Sequence, residues 1–281
     1  NEPFGYMAHA YILNTFPPGK GNFNMVFTGL TNLIQAHANA YHIIHELQPE
    51  AKVGFAQYYR SVVPARPWFP PDVWETNLMD HSINRSFPDA VVDGNVKILF
   101  WKKFIPTAIK TMDFFGLNYY SRDIVSFDIT KPQELFRKVT TPKDAILSEN
   151  KFIAHIPEAI LDAIKWARRY NLPIYITENG MEDSKDTLKP RFLVENIHQV
   201  WRAVNFNWNV KGYFYWTQVD NFEWERGWTQ HFGLWGLDIA TQKRIRRKSV
   251  DVYASICKEN GISSEMVEKY VPEILPSLFP G

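Results

Sequence analysis

Leu172-Pro173-Ile174-Tyr175-Ile176-Thr177-Glu178-Asn179-Gly180 is the stretch on which the fold turns. A short apolar strand ends in a carboxylate, and the chain then bends at Asn-Gly. In an α/β barrel the chemistry sits at the C-terminal ends of the strands, so Glu178 becomes a candidate functional residue.

Outward from this strand, helix and strand patterns alternate. Ile156-Pro157-Glu158 opens a helix with Pro in its first turn, where the missing N–H does no harm. Ile160, Leu161, Ile164 and Ala167 form its apolar face. Leu193, Ile197, Val200, Trp201 and Val204 mark the next helix. Val210 to Trp216 reads as a strand followed by a long aromatic loop, and Lys248 to Glu259 as a final helix before a Pro-punctuated tail after Gly261.

Upstream, 25–47 has helical spacing through Leu30, Leu33, Ile34, His37, Tyr41 and Ile44. Val53 to Ala56 and Asp113 to Tyr120 read as strands, with a helix somewhere in 71–86. Residues 121–150 are polar, carry Pro132 and Pro142, and read as a long loop. Strands alternating with helices predict a parallel sheet. Four such units are half of a (β/α)8 TIM barrel, a fold that exceeds roughly 400 residues when its loops are long.

Composition narrows the function. The 281 residues are 45 % hydrophobic and 22 % charged, ordinary for a globular chain. A net charge of +1 offers no field for nucleic acid or an anionic membrane. The single cysteine, Cys257, excludes an intrachain disulfide. No apolar run approaches the roughly 20 residues of a membrane span. Aromatics reach 15 %, with ten Trp and thirteen Tyr, and their flat faces with polar edges suit a sugar ring.

A second carboxylate, Glu2 in Asn1-Glu2-Pro3, stands far from Glu178 along the chain. Two Glu at the tips of separate strands can face each other across a barrel mouth. Retaining cleavage of a glycosidic bond needs such a pair about 5–5.5 Å apart, one a nucleophile and one an acid/base. Trp216-Thr-Gln-Val-Asp220-Asn221-Phe222-Glu223-Trp224 then places two stacking faces and a carboxylate on one loop, a pattern that fits sugar hydroxyls. His42 and His45 lie near one another on a predicted helix but lack a third ligand, and no metal or cofactor is expected. The basic run Lys243 to Lys248 is read as a solvated segment leading into the last helix.

Asn-Glu-Pro, Asp-Phe-x-Gly-x-Asn-Tyr-Tyr, Thr-Glu-Asn-Gly and Gly-Tyr-x-x-Trp…Asp-Asn-Phe-Glu-Trp occur here in one order. Phe16-Pro-Pro-Gly19 and Gln35-Ala-His-Ala38 add to the pattern. Together they make the chain resemble the C-terminal part of a glycoside hydrolase family 1 β-glycosidase. The resemblance implies that residues 1–281 are the C-terminal portion of a single (β/α)8 barrel, with strands 5–8 and the end of strand 4. It implies retaining hydrolysis of β-glucosides, β-galactosides or β-fucosides through a covalent glycosyl-enzyme intermediate, with no cofactor.

By the same resemblance, Glu178 is the nucleophile, Glu2 the acid/base and Tyr120 the residue that steadies the nucleophile. Asn1, Asn118, Trp216, Glu223, Trp224 and Phe232 are the implied substrate-binding residues. Members that cut 6-phosphoglycosides replace the Glu223 position, and thioglucosidases of plants lack the acid Glu. Thr217-Gln218 stands where Ser-Leu is commoner, and Phe55-Ala-Gln-Tyr58 lacks a usual strand-end Asn.

The Gln, His and Trp that family members carry on their first strands have no counterpart here. The expected partners are a β-linked glucoside or galactoside and the N-terminal half of the barrel, from the same gene or a second chain. Without that half, weak or absent activity is expected. The natural N-terminus is expected to lie upstream of Asn1, and a cytoplasmic location is the expectation. The competing reading is a non-catalytic, sugar- or protein-binding relative of the same fold.

Overall fold

The computed structural model describes residues 1–280. Its frame is a row of parallel strands in chain order: β1 (Gly54–Pro64), β2 (Phe114–Phe127), β3 (Ile174–Glu178) and β4 (Val210–Tyr213). All four match expected strands. Helices fill the intervals: α5 (Glu158–Ala167) after β2, α6 (Lys189–Asn205) after β3 and α7 (Lys248–Glu259) after β4. Before β1 runs the long helix α2 (Phe23–Leu47), and after it come α3 (Pro70–Met79) and α4 (Ser86–Asp93), joined by a π-helical turn at Asp80–Arg85.

Side-chain alternation in β2 shows how the strand sorts its two faces. Phe115, Leu117 and Tyr119 are buried in the main core with Ile160, Ala163 and Ile164 of α5. Gly116, Asn118 and Tyr120 point the other way. The register aligns Tyr58 with Asn118 and Asn118 with Glu178, so one row crosses three strands. Helix α2 joins the same core through Val26, Leu30, Ile34 and Ala38, spaced four apart on one stripe. Asn22 caps it, its side chain accepting the Asn24 N–H at 3.0 Å.

Ahead of these elements, the Glu2 N–H donates to Ala56 O at 2.8 Å, on the side of β1 away from β2. Glu2 therefore occupies the place of a strand end beside β1. The sheet forms an arc rather than a closed ring, with β1 and β4 at its ends. Near the β4 end Trp201, Val204, Phe206 and Phe214 remain 48–58 % exposed.

Four expectations need correction. Residues 121–150 are not one loop: β2 runs on to Phe127 and pairs with an antiparallel strand, Arg137–Thr140. That outer part carries Ser121, Arg122, Asp123 and Ser126 and buries only Val125, which hid its strand pattern. The strand expected over 210–216 ends at Tyr213, where the aromatic loop begins. The tail after Gly261 contains a helix, Ser264–Tyr270, capped by Ser263 and burying Met266 and Val267. Helix α1 (Pro3–Tyr11) was hidden within the Asn-Glu-Pro reading and begins at Pro3, where the fixed φ of proline suits a first turn.

Candidate active site

Glu178 ends β3 and is half-buried. Tyr120, on the inner face of β2, donates its hydroxyl to Glu178 Oε2 at 2.6 Å. Asn118, one pleat below, donates through Nδ2 to Glu2 Oε1 at 2.9 Å and to Asn1 Oδ1 at 3.0 Å. The two glutamates expected to work as a pair thus meet around one buried amide. The turn behind Glu178 is held by Asn179, fully buried, which donates to Tyr119 O at 2.8 Å and accepts the Tyr213 hydroxyl at 2.7 Å. Gly180 follows because nothing larger fits. A Cβ there would lie 2.0 Å from Trp216 O. Gly180→Ala should therefore destabilise the fold by about 1–3 kcal/mol, read as a lower urea midpoint at unchanged slope.

The carboxyls differ in their tendency to ionise. Burial, and next the negative charge of Glu178, push Glu2 up to about 7 from its usual carboxylate range, against the opposing Asn118 donor. Burial also raises Glu178, but the Tyr120 hydroxyl, and after it the nearby Asn118 amide, pull it back, with the Glu223 charge pushing upward again. Glu178 has the Tyr120 hydroxyl as its close donor, while burial first, and the Glu178 charge second, keep the proton on Glu2. Hence Glu178 is the first of the two to ionise, leaving one carboxylate and one carboxylic acid near neutral pH. Tyr58, from β1, completes the row beside Glu2; burial holds its phenol well above the usual range.

The aromatic loop is tied to this row at both ends. Trp216 N–H donates to Asn179 O at 3.0 Å, and the Trp216–Thr217 peptide is cis. Asp220 is the loop's anchor. Its carboxylate accepts two hydrogen bonds from Arg247, at 2.9 and 2.8 Å, and one from Gly233 N–H at 2.8 Å, with the His231 ring at 3.2 Å. Burial pushes the Asp220 carboxyl up, but the Arg247 guanidinium outweighs it and holds the group below the usual range. Arg247 was read as part of a solvated basic run; only 10 % of its side chain is exposed, and it fastens the loop to the start of α7.

Glu223 is half-buried in the same loop, its Oε2 accepting Asn221 Nδ2 at 3.0 Å. Burial raises its carboxyl, with Asn221 and the Trp216 indole opposing. Trp216, Glu223, Glu178 and Glu2 therefore share one electrostatic neighbourhood.

Three expected binding residues occupy different places. Asn118 is fully buried, with both amide hydrogens and its oxygen taken by Glu2, Asn1 and Thr177, which leaves no donor for a sugar. Phe232 is 2 % exposed and packs edge-on against Tyr120 at 6.1 Å, behind the site rather than lining it. Trp224 is 60 % exposed and stacks on Phe16 at 5.0 Å. Asn1 lies at the site, its Oδ1 bound to Asn118. The residues missed in the sequence are Tyr58, Thr177, Asn179, Asp220 and Arg247. Of these Thr177, Asn179 and Asp220 stood inside the quoted motifs; the burial of Asn179 and Asp220, and the register shift at Thr177, were the missing clues.

Elsewhere the histidines have structural roles. His45 bonds Asp113 Oδ2 at 2.8 Å, and His42 bonds Thr107 O at 2.9 Å. No helix among the described residues is long and apolar enough to cross a membrane.

Several known proteins resemble this chain in sequence and fold. A β-galactosidase of Pyrococcus woesei is 30 % identical over 300 residues, covering 96 % of this chain and 58 % of that relative. β-Glucosidase A of Thermotoga maritima is 31 % identical, covering 93 % of this chain and 63 % of that protein. Among solved structures, a β-glycosidase from Pyrococcus horikoshii superposes with a TM-score of 0.88 at 31 % identity, covering 96 % of this chain and 62 % of that one. The chain spans less than two thirds of the length of these relatives, and its arc of strands is part of their (β/α)8 barrel. Residues 1–262 match the model of glycosyl hydrolase family 1, and the chain belongs to that family.

Proposed function

We propose that this chain carries the catalytic carboxyls of a retaining β-glycosidase. The observation that supports this most strongly is the pair Glu178 and Glu2 around Asn118, one poised to be ionised and the other to hold its proton. Glu178, its charge steadied by the Tyr120 hydroxyl, attacks the anomeric carbon. Glu2 gives its proton to the departing oxygen as the glycosidic bond breaks. Glu2, now ionised, then takes a proton from water, which attacks the same carbon and releases Glu178.

Trp216 offers a stacking face for the ring, and Glu223 accepts hydrogen bonds from hydroxyls remote from the cleaved bond. β-Glucosides and β-galactosides are the substrates proposed. A carboxylate at Glu223 would repel a 6-phosphate.

Turnover on this reading needs the barrel strands that would close the arc between β4 and Glu2, whether joined to this chain or supplied by a second one. The test is the pH dependence of kcat/KM for an aryl β-glucoside, measured with the closed barrel. The acid form of Glu2 is the active one in the first step. Activity should therefore fall as pH rises through about 7, the value to which Glu2 is raised. Glu2→Gln should remove that limb and slow poor leaving groups by roughly 10²–10⁴-fold, sparing 2,4-dinitrophenolate, which leaves without a proton. Sugar binding with no turnover in the closed barrel would instead mark a non-catalytic relative.

A further inference from the structure

The pairing of β2 with β3 singles out Thr177. Leu117 pairs with Ile176, but the next residue, Asn118, pairs with Glu178. Thr177 is thus the extra residue of a β-bulge, a feature that re-aims a side chain beside many active sites. Its hydroxyl donates to Asn118 Oδ1 at 2.6 Å.

An amide is two-sided, with an acceptor on one edge and donors on the other. With Oδ1 engaged by Thr177, Nδ2 faces Glu2 Oε1 and Asn1 Oδ1, both of which accept. Turned over, the amide would set its oxygen against the oxygens of Glu2 and Asn1, tolerable only where Glu2 keeps its proton. Asn118 has no exposed surface, so water cannot substitute for a lost partner.

We propose that Thr177 is a positioning residue for the acid/base step: its hydroxyl fixes the Asn118 amide with its donors toward Glu2, so that the ionised Glu2 needed to activate water is held in place. This rests on the reading of Glu2 as acid/base. The other titratable groups around Glu2 are Glu178 on β3, Glu223 of the aromatic loop, and the phenols Tyr58 on β1 and Tyr120 on β2. Removing the Thr177 hydroxyl alters none of these charges, so a changed titration of Glu2 reports on the amide.

The experiment compares Thr177→Val, which removes the hydroxyl at nearly constant shape, with Thr177→Ser, which keeps it. In the closed barrel the basic limb of kcat/KM should move up in Thr177→Val by on the order of half to one pH unit, and Thr177→Ser should keep the parent limb. Titration of the ¹³C-labelled Glu2 carboxyl by NMR should show the same upward shift, whether or not the protein turns over substrate. An unmoved Glu2 titration in folded Thr177→Val overturns the proposal while leaving the function intact. A parent protein that hydrolyses no glycoside, yet shows the Glu2 shift, overturns the function and leaves only the structural link.

Discussion

Glu178→Gly should lower kcat for an aryl β-glucoside by on the order of 10⁴-fold or more, because the first covalent bond can no longer form. The fold should tolerate the change. Glu178 is a strand-end residue, and what it leaves behind is a Tyr120 hydroxyl facing a water-sized gap. Circular dichroism and the urea midpoint should stay close to the parent. Added azide should restore part of the turnover by attacking from the vacated face, giving a glycosyl azide of inverted configuration. Unchanged turnover in this variant would show that another group is the nucleophile.

The second large effect concerns stability. Arg247→Ala strips the buried Asp220 carboxylate of both guanidinium hydrogen bonds, leaving Gly233 N–H and the His231 ring. Removing one member of a buried ion pair costs about 3–5 kcal/mol, since the remaining charge stays uncompensated. The urea midpoint should fall accordingly.

Asp220→Asn combined with Arg247→Met should be milder than Arg247→Ala alone, because no lone charge is then trapped. Activity should also fall in Arg247→Ala under folded conditions, as Glu223 and Trp216 ride on the loop that Asp220 anchors. A loss below about 1 kcal/mol would mean that water reaches the pair and screens it.

Much of the frame was legible in the residues. Ile174 to Glu178 reads as a strand because its apolar run is short and bounded, and α7 matches its expected limits because its helical spacing is clean. The glutamates were legible as carboxyls next to turn-forming residues in motifs of known order. What stayed hidden shares one cause: its signal lies in burial or pairing rather than in pattern. The outer part of β2 is polar, so its strand character shows only once Arg137–Thr140 pairs with it. Arg247 sits among exposed Arg and Lys, and nothing local separates the one cation that turns inward. Thr177 looks like any strand residue until the register slips around it. Asn118 and Phe232, expected to touch sugar, are both buried in this structure, which no local pattern in the sequence signals.

The bend of the sheet has its own chemical consequence. From the backbone beside β1 that carries Glu2 to β3 is three inter-strand steps, roughly 14 Å on a flat surface at about 4.8 Å each. Yet both side chains lie within reach of the same amide. The curvature of the sheet and the length of the side chains bring them together, as spokes converge on a hub. A ring of strands would then act as a hoop whose circumference fixes the gap between the two acids. On the proposed mechanism that gap decides whether water fits between them, so the radius of the backbone would govern the stereochemistry of the product. Substitutions on the outer helices that relax the bend by a few degrees would be felt at the reacting carbon without touching a single residue near it.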